Sequence, residues 1–345
     1  MTIAFARPQI ACVLGLALVA VTAVAVSVPA TAADFYAGKQ LKIVIGSDVG
    51  GGYDTYGRLL GRHIAAHIPG KPSTLVLNMP GAGGLKSVQY VYTVANRNGT
   101  EIANIRASNM LDAVLGIRGK EIDPAKFTWI GSMAADTDVC IFTKASGIRT
   151  FQDMLTRETT VGGTGKGAQA FSFPNSINHV LGTKMKIILG YKGTGDRVLA
   201  MERGELSGSC GINGSTFIAV LGRQFKEGSL IPVVQSGLAP NSRLKDVPLT
   251  LSYAKGEQRD VLEGVFSQMQ IARPYAGPPG MAADKLAVLR KAFDATMKDA
   301  KFLADATKVK VEISPTDGAG AAEIIAKMTK MSPDLRKKVR AAIGG

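Results

Sequence analysis

The chain has 345 residues, 46% of them hydrophobic, which is enough for the cores of two domains and excludes an intrinsically disordered protein. The formal net charge is +14, yet the 41 basic residues are dispersed along the chain, and the chain has one Trp. Because single-strand nucleic-acid binders combine basic grooves with aromatic side chains, this pattern argues against a nucleic-acid partner and indicates a general attraction for anions.

Residues 1–33 differ in composition from the rest of the chain. Arg7 is their only formal charge, an apolar stretch covers 10–28, and Ala30 with Ala32 forms an A-x-A cleavage pattern. We interpret the segment as a signal peptide cleaved near Ala32, which leaves a net charge of +13 (+14 − 1) on a periplasmic protein. An uncleaved membrane anchor is the alternative, because an apolar stretch of this length nearly spans a bilayer.

The mature chain opens with two units of the same kind, each made of a strand, a glycine-rich loop and a helix. A β-branched run predicts a strand over 41–45, and apolar residues at helical spacing predict a helix over 55–68. The second unit has a predicted strand over 74–78 and a predicted helix over 85–95, and a third strand is predicted over 101–106. Alternating strands and helices predict a parallel sheet covered on both faces.

A second series of elements begins near Thr128. Strands are predicted over 139–143, 160–163, 186–189, 206–212, 230–235 and 265–272, and helices over 168–181, from after Gly195 to Arg203, over 282–300 and over 319–343, the last divided by Pro333. We therefore expect an α/β chain with two lobes. Lobe 1 takes 34–138 plus 267–345 and lobe 2 takes 139–266, so the chain crosses twice and the crossings form a hinge.

The glycine loops of the first two units are the candidate ligand site. One covers 50–54 and the other 80–84, each between a strand and a helix. Such a turn exposes backbone N–H groups at a helix N-terminus, where the helix dipole favours an anion. Because ligands bind at the carboxyl ends of strands in open α/β sheets, the two loops can hold one carboxylate from two sides. For Asp54 we favour a capping role at the helix start over direct ligand contact.

Turns of the second series and the end of the third strand complete the candidate site. The candidate ligand-binding residues are Gly50, Gly51, Gly52, Tyr53, Asp54, Pro80, Gly81, Ala82, Gly83, Gly84, Ser108, Thr164, Gly165, Lys166 and Tyr191. The basic residues nearest to this site are Lys86, Arg106, Lys166 and Lys192, and a solvated surface charge explains each of them equally well.

Nucleotide and metal sites are not indicated. The loop over 46–51 does not read GxxxxGK[ST], and Lys86 stands where GxGxxG requires its third glycine. His63 and His67 have the i, i+4 spacing of helical metal ligands, but they share a face with apolar residues near a helix end and no acid lies between them. We interpret both as packed or helix-terminal histidines, and we expect no metal and no cofactor.

An exported hydrolase that uses the same cleft, with Cys210 or His179 as the reactive residue, is the main alternative function. No GxSxG motif precedes a helix, and no nucleophile lies beside a base in an interpretable pattern, so we expect a protein that is not an enzyme. A periplasmic ligand sensor is a further alternative. Cys140 and Cys210 remain after cleavage of the signal peptide, and the sequence leaves open whether they form a disulfide or stay as two buried thiols.

The glycine loops carry a more specific pattern. Gly50-Gly51-Gly52-Tyr53-Asp54 with Arg58 resembles the first-loop signature GGGxDxxxR of the Bug/TctC family, the periplasmic solute receptors of tripartite tricarboxylate transporters. Residues 78–84 resemble the second-loop signature NxPGAGG, and 162–167 and 191–193 match the family's GxxGxG and YKG turns. The order and spacing of these motifs agree along nearly the whole mature chain.

This resemblance implies a two-lobed, Venus-flytrap fold without cofactor, in which both first-lobe loops hold one carboxylate of a small organic acid, partly through water. It also implies integral-membrane transporter subunits as partners, and we expect a monomer. The chain departs from the family pattern at 47–49, where the family often has prolines, and at 85–86, where an Asn often follows PGAGG. These departures bear on the identity of the ligand more than on the fold.

Overall fold

The structure is a computed structural model that describes residues 1–4 and 35–345, which form two β-sheets with helices packed around them. The strands are β1 (Gln40–Ile45), β2 (Ser73–Asn78), β3 (Glu101–Asn104), β4 (Thr128–Ser132), β5 (Asp138–Thr143), β6 (Thr159–Gly162), β7 (Met185–Ile188), β8 (Gly208–Asn213), β9 (Leu230–Ser236), β10 (Pro274–Gly277) and β11 (Thr316–Asp317). Apart from its first four residues, the predicted signal peptide lies outside the described part of the chain.

Helices cover much of the remaining chain. The α-helices are α1 (Gly52–His63), α2 (Leu85–Thr93), α3 (Ala107–Val114), α4 (Phe151–Thr156), α5 (Gln169–Leu181), α6 (Thr194–Glu202), α7 (Gly214–Lys226), α8 (Glu257–Phe266), α9 (Ala283–Lys298), α10 (Ala300–Lys308), α11 (Gly318–Thr329) and α12 (Pro333–Ala342). Short 3-10 helices cover Ile64–His67, Ala82–Gly84, Pro124–Lys126, Lys144–Ser146, Thr250–Tyr253 and Ser267–Ile271. None of the described helices has the length and hydropathy of a membrane span.

The first sheet has the strand order β11-β4-β10-β3-β1-β2. β1 is parallel to both β2 and β3, so the loops that follow these strands lie at the same edge of the sheet. β10 runs antiparallel to β3 and β4, and β11 antiparallel to β4, so the sheet is mixed, whereas the sequence predicted a parallel one. Ile43, Val44 and Ile45 of β1 are fully buried, because this inner strand is covered on both faces.

The second sheet has the strand order β7-β6-β8-β5-β9. β6 is parallel to β7 and β8, whereas β5 is antiparallel to β8 and β9. The pairing of β5 with β8 shifts register between Val139 and Ile141. At this irregularity the structure joins Cys140 of β5 to Cys210 of β8 in a disulfide, so a covalent bond links two neighbouring strands.

The predicted strand over 265–272 is wrong. These residues end α8 and continue as the 3-10 helix Ser267–Ile271, and the strand of this region is β10. Val265, Phe266 and Met269 are all buried, and a short apolar run does not by itself distinguish a buried strand from a buried helix.

Other element boundaries also differ from the prediction. α1 begins at Gly52, before the predicted start at residue 55, and the helices α3, α4, α7 and α8 were not predicted. The predicted helix over 282–300 corresponds to α9, and α10, which was not predicted, follows it. The side chain of Asp299 accepts a hydrogen bond from the N–H of Lys301 and thereby caps α10.

The chain passes from the first sheet to the second after β4 and returns after β9 through α8 and Ser267–Ile271. The last helix, α12, packs against α8 and against α5, which itself packs on β8 of the second sheet. From the sequence we assigned all of 267–345 to lobe 1. In the structure, α12 of this range contacts α5, which packs on the second sheet, and the lobe boundaries stay a prediction. One apolar cluster contains residues of both sheets, including Ala103 and Phe142, so the core is continuous through the crossings.

Candidate functional site

A cleft of about 410 Å³ lies between the two sheets, where the first glycine loop leaves β1. The wall on the side of the first sheet consists of Ser47, Asp48, Val49, Gly50, Gly51, Gly52, Tyr53, Arg106 and Arg273. The wall on the side of the second sheet consists of Thr164, Ala168, Gln169, Ala170, Lys192, Gly193, Thr194, Arg197, Gly211, Asn213 and Thr216. A cleft of this size suits a small molecule.

The first glycine loop is held in place by Asp54. The Asp54 carboxylate accepts hydrogen bonds from the N–H of Gly50 at 2.9 Å, from Arg58 Nε at 3.0 Å and from Asn78 Nδ2 at 2.9 Å. Burial raises the pKa of Asp54, but these hydrogen bonds outweigh burial and hold that pKa below its ordinary value. Asp54 is 3% exposed and does not line the cleft, so its carboxylate fixes the shape of the loop.

The loop presents the N-terminus of α1 to the cleft. Gly51 is the N-cap residue, and no side chain caps the helix. Gly50 has φ = +84°, a conformation that favours glycine. Because the first N–H groups of a helix lack partners within it, and the helix dipole is positive at this end, the site favours an anion. A Cβ atom at Gly52 would lie 3.5 Å from Arg273 Nη2, so this end of the helix also adjoins a cationic side chain.

Arg273 is 1% exposed and lies where the chain enters β10. Its Nη1 donates to the carbonyl oxygen of Ala272 and its Nη2 to Asn213 Oδ1, each at 2.8 Å. The guanidinium carbon lies 4.7 Å from the ring centre of Tyr53 and 4.9 Å from that of Tyr56. Nε has no hydrogen-bond partner within the described residues. Because Asn213 ends β8, this one side chain joins the two sheets beside the cleft.

Two further arginines line the cleft. The guanidinium carbon of Arg106 lies 4.9 Å from the ring centre of Tyr53, and the buried Nε of Arg106 has no partner in the described part of the chain. Arg197 is 3% exposed, and its Nη1 donates to Ser209 Oγ at 2.7 Å and to the carbonyl oxygen of Cys210 at 2.8 Å. Burial lowers the pKa of Arg197 to about 10, although the negative charge of Asp138 acts to raise it. The guanidinium therefore stays protonated at neutral pH.

A buried carboxyl group lies behind Asn213. Burial and then the negative charge of Asp136 raise the pKa of Asp138 to about 7. Asp138 Oδ1 accepts a hydrogen bond from Asn213 Nδ2 at 2.8 Å, and Oδ2 has no partner within residues 35–345. Asn213 therefore connects Arg273, which lines the cleft, to a carboxyl group that titrates near neutral pH.

No family model and no curated protein matches the chain. A solved TctC solute-binding protein from Polaromonas, without ligand, superposes with a TM-score of 0.65 at 16% identity and covers 89% of this chain and 99% of its own. MatC from Rhodopseudomonas palustris with bound malate gives 0.66 at 16% identity over 87% and 99%. A second R. palustris protein, with adipate, gives 0.65 at 15% identity over 89% and 97%. The chain has the TctC-type fold. The expected two-lobed α/β architecture is thereby confirmed.

Within this TctC-type fold, the second glycine loop does not line the cleft. A Cβ atom at Gly84 would lie 2.8 Å from Arg106 Cδ and 3.1 Å from the carbonyl oxygen of Gly46, so the loop packs behind the first loop and Arg106. A Cβ atom at Gly83 would lie 3.9 Å from the carbonyl oxygen of Gly167, on the opposite lobe. The two-sided clamp therefore stays a prediction, and only its first half lines the cleft in the structure.

Of the remaining predicted residues, some line the cleft and others do not. Thr164 lines the cleft together with 50–53. Ser108 and Lys166 line a separate cavity of about 180 Å³. Gly165 and Tyr191 line neither, and Tyr191 packs against an apolar cluster of the second sheet.

Arg197, Asn213 and Arg273 line the cleft and were not predicted from the sequence. A usable signal existed for Arg273, since it is a lone charged residue in the apolar stretch over 269–277 and is followed by Pro274. An arginine in such a stretch is either buried with polar partners or functional. Arg197 had no comparable signal, because it lies on an amphipathic helix among other charged residues.

The residues of the alternative hydrolase and metal-site hypotheses have other contacts in the structure. Cys210 Sγ is bonded to Cys140 Sγ, so it is not available as a thiol nucleophile in this state. His179 is exposed on α5 and does not line the cleft. His63 Nε2 lies 2.9 Å from an oxygen of Asp305, and His67 Nε2 lies 2.9 Å from an oxygen of Asp299. No group of three or more potential metal ligands occurs in the described part of the chain.

Proposed function

We propose that the protein is an exported solute-binding protein that captures a small organic carboxylate and delivers it to the membrane subunits of a tripartite tricarboxylate-type transporter. The observation that carries the proposal is an uncapped helix N-terminus in a cleft lined by cationic side chains, within a TctC-type fold. Backbone N–H groups and guanidinium groups both form charge-assisted hydrogen bonds with carboxylates, which are about twice as strong as neutral ones.

Related structures support the ligand class. Neighbours with the same fold were solved with malate and with adipate, both small organic acids. The cleft volume of about 410 Å³ is compatible with a molecule of that size. We assign the first contacts with the ligand to the N–H groups of 51–53 and to Arg106 and Arg273, with the loop over 80–84 as their support.

The transporter subunits have to distinguish the ligand-bound state of such a receptor from its free state. Arg273 lies at the return crossing and is hydrogen-bonded to Asn213 on the opposite wall. A ligand that contacts both walls favours the closed population in proportion to its extra affinity for that population. The transporter subunits would then recognise the closed form. We further propose that the chain acts in the periplasm as a monomer, without its signal peptide, and does not transform its ligand.

Native mass spectrometry of the freshly purified mature protein tests the proposal. We expect one small organic acid per chain, which calorimetry with the same acid then confirms as a one-site ligand. Incubation with a panel of acids should leave each acid chemically unchanged. Catalytic conversion of a bound acid, or failure to bind any organic acid, would contradict the proposal. Loss of uptake of that acid from cells that lack the protein tests the transporter assignment separately.

A further inference from the structure

Two neighbouring carboxyl groups lie at the first crossing between the sheets. Asp136 lies between β4 and β5, and Asp138, which is 1% exposed, begins β5. The carboxylate of Asp136 accepts hydrogen bonds from the N–H of Thr137 and from the N–H and Oγ of Ser215. Asp138 accepts one from Asn213 Nδ2, and its Oδ2 has no partner in the described part of the chain. Because hydrogen-bond donors stabilise the charged form of a carboxyl group, Asp138 is the member of this pair that takes up a proton more readily.

A hydrogen-bonded path joins Asp138 to the cleft. Asn213 donates to Asp138 through Nδ2 and accepts from Arg273 Nη2 through Oδ1, each at 2.8 Å. Asn213 and Arg273 both line the cleft, and so does Arg197. Burial and then the negative charge of Asp136 favour the protonated form of Asp138, whereas the positive charges of Arg273 and Arg197 favour its carboxylate form. The two arginines that stabilise this buried carboxylate are thus also cationic groups of the ligand site.

The other charged and titratable groups near this pair are tyrosines and one further acid. Burial raises the pKa of Tyr56 and of Tyr275 above the ordinary value of a tyrosine, so both hydroxyl groups stay protonated at neutral pH. Glu312 is ion-paired with Arg243. The three histidines of the chain, all in its described part, do not line the cleft. Asp138 is therefore the group behind the cleft whose protonation changes near neutral pH.

A bound anion competes with Asp138 for the same positive charges. An anionic ligand beside Arg273 and Arg197 adds a second negative charge where the dielectric is low, which raises the free energy of the Asp138 carboxylate. Protonation of Asp138 removes this repulsion. By thermodynamic linkage, a ligand that favours the protonated form binds more tightly wherever that form is populated.

We infer that binding of an anionic ligand in the cleft is coupled to the uptake of a proton by Asp138, with Asn213 and Arg273 as the path between the two. This inference rests on the proposed function and adds the regulation of the same site by pH. Ligand affinity is highest at acidic pH, where Asp138 is already protonated. It declines as the pH rises above about 7, because binding then requires a proton from solution.

Calorimetry in buffers of different ionisation enthalpy counts the protons that are taken up on binding. The probes are malate, adipate and benzoate, and the acid that binds most tightly is titrated between about pH 6.5 and 8.5, where carboxylic acids with a pKa of about 4–5 are ionised. We expect net proton uptake near pH 7.5 and an affinity about fivefold or more weaker at the upper pH than at the lower. Zero uptake or proton release overturns the inference and leaves the receptor function intact. Failure of every organic acid to bind overturns the proposed function and the inference with it.

The variant Asp138→Asn identifies the group that takes up the proton. Its amide does not ionise but keeps an oxygen that can accept the hydrogen bond from Asn213. We expect this variant to bind the same acid without proton uptake, with an affinity that changes less than about twofold over the same pH range.

Asp246→Asn is the matched control, because Asp246 is exposed and does not line the cleft, and it should keep the proton uptake of the parent. Thermal melting establishes that both variants are folded. Undiminished proton uptake in the folded Asp138 variant overturns the assignment to Asp138. The proton count of the parent protein decides the coupling itself, even where the variant does not fold.

Discussion

At the scale of single residues, glycines and buried polar side chains decide the shape of the site. Gly52 begins α1 at the cleft, whereas Gly83 has φ = +66° and does not line the cleft, and its neighbour Gly84 packs against Arg106. The sequence presented the two loops as equivalent, because both are glycine-rich turns between a strand and a helix. The structure separates them: the first loop lines the cleft and the second supports the first loop and Arg106.

Substitution of one glycine in each loop tests this difference. In Gly52→Val the side chain begins 3.5 Å from Arg273 Nη2 and 3.6 Å from Thr216 Oγ1, so it occupies the approach of the ligand to the N–H groups. We expect the ligand affinity to fall by about tenfold or more, the equivalent of one charge-assisted hydrogen bond of ~1.5–3 kcal/mol. Gly83→Val should instead lower the free energy of unfolding by about 1–2 kcal/mol, because a β-branched residue is strained at positive φ. Calorimetry and denaturant titration measure both. Equal affinity losses would favour the two-sided clamp.

The raised pKa of Asp138 makes the stability dependent on pH. The unfolded chain has an ordinary carboxyl pKa near 3.8, and the folded pKa is about 7, so the folded state binds the proton more tightly. The contribution of this group to the free energy of unfolding is therefore greatest below about pH 4 and declines until about pH 7, by roughly 4 kcal/mol in all. Burial raises the pKa of Asp136 as well, so Asp136 adds to the same slope.

We expect Asp138→Asn to remove its part of that slope. The variant should gain stability relative to the parent as the pH rises from 4 to 8, because the amide does not ionise. Denaturant titrations at several pH values measure the difference. Asp246→Asn is the control, because Asp246 is exposed and lies outside this cluster. An unchanged pH slope in the Asp138 variant would show that another group causes it.

At the scale of elements, the disulfide between β5 and β8 fixes the middle of the second sheet. It closes a segment with a sequence separation of 70 residues, which contains α4, β6, α5, β7 and α6. Cross-linking a long segment limits the unfolded ensemble, and removal of such a bond typically costs about 2–4 kcal/mol. The bond also lies close to the cleft, because Gly211 and Asn213, which follow Cys210 on β8, line the cleft.

Thiol labelling of unfolded, unreduced protein should therefore detect no free thiol in the mature chain. The double variant Cys140→Ala/Cys210→Ala should melt at a lower temperature than the parent, by the stability difference given above. Mild reduction of the parent is the matched comparison, because it breaks the bond without changing packing volume. Two labelled thiols per chain would contradict the assignment of a disulfide.

At the scale of the whole molecule, two mixed sheets face one cleft, and the chain crosses between them beside it. Arg273 lies at the return crossing and Asn213 at the end of β8, so their hydrogen bond connects the two halves. The last helix, α12, packs against α5 and α8 on the side of the second sheet and adds a further connection between the halves. The formal net charge of +14 favours the approach of anions from solution, and this attraction weakens with salt.

Much of the local structure was predictable, because it depends on near neighbours along the chain. Runs of β-branched residues correctly predicted β1, β2 and β5, and apolar residues at helical spacing correctly predicted α2, α5 and α9. Pro333 correctly predicted the boundary between the last two helices. The failures have physical reasons. The run over 265–272 is apolar without a distinguishing period. The N-cap residue of α7 is Asn213, whose side chain is hydrogen-bonded to Asp138 and Arg273 and does not cap the helix. The glycine signatures indicated the TctC-type fold, although pairwise identity to solved neighbours is only 15–16%.

The sequence by itself determined the α/β class, the alternation of strands and helices, and a glycine loop able to bind an anion at a helix N-terminus. These follow from periodicity and backbone freedom, which are local properties. Only the tertiary structure decided which loop lines the cleft, that β10 inserts antiparallel between β3 and β4, and that Arg106, Arg197 and Arg273 converge on one cavity. Residues 106, 197 and 273 lie far apart in the chain, and their proximity depends on how the strands are ordered, which no local pattern encodes.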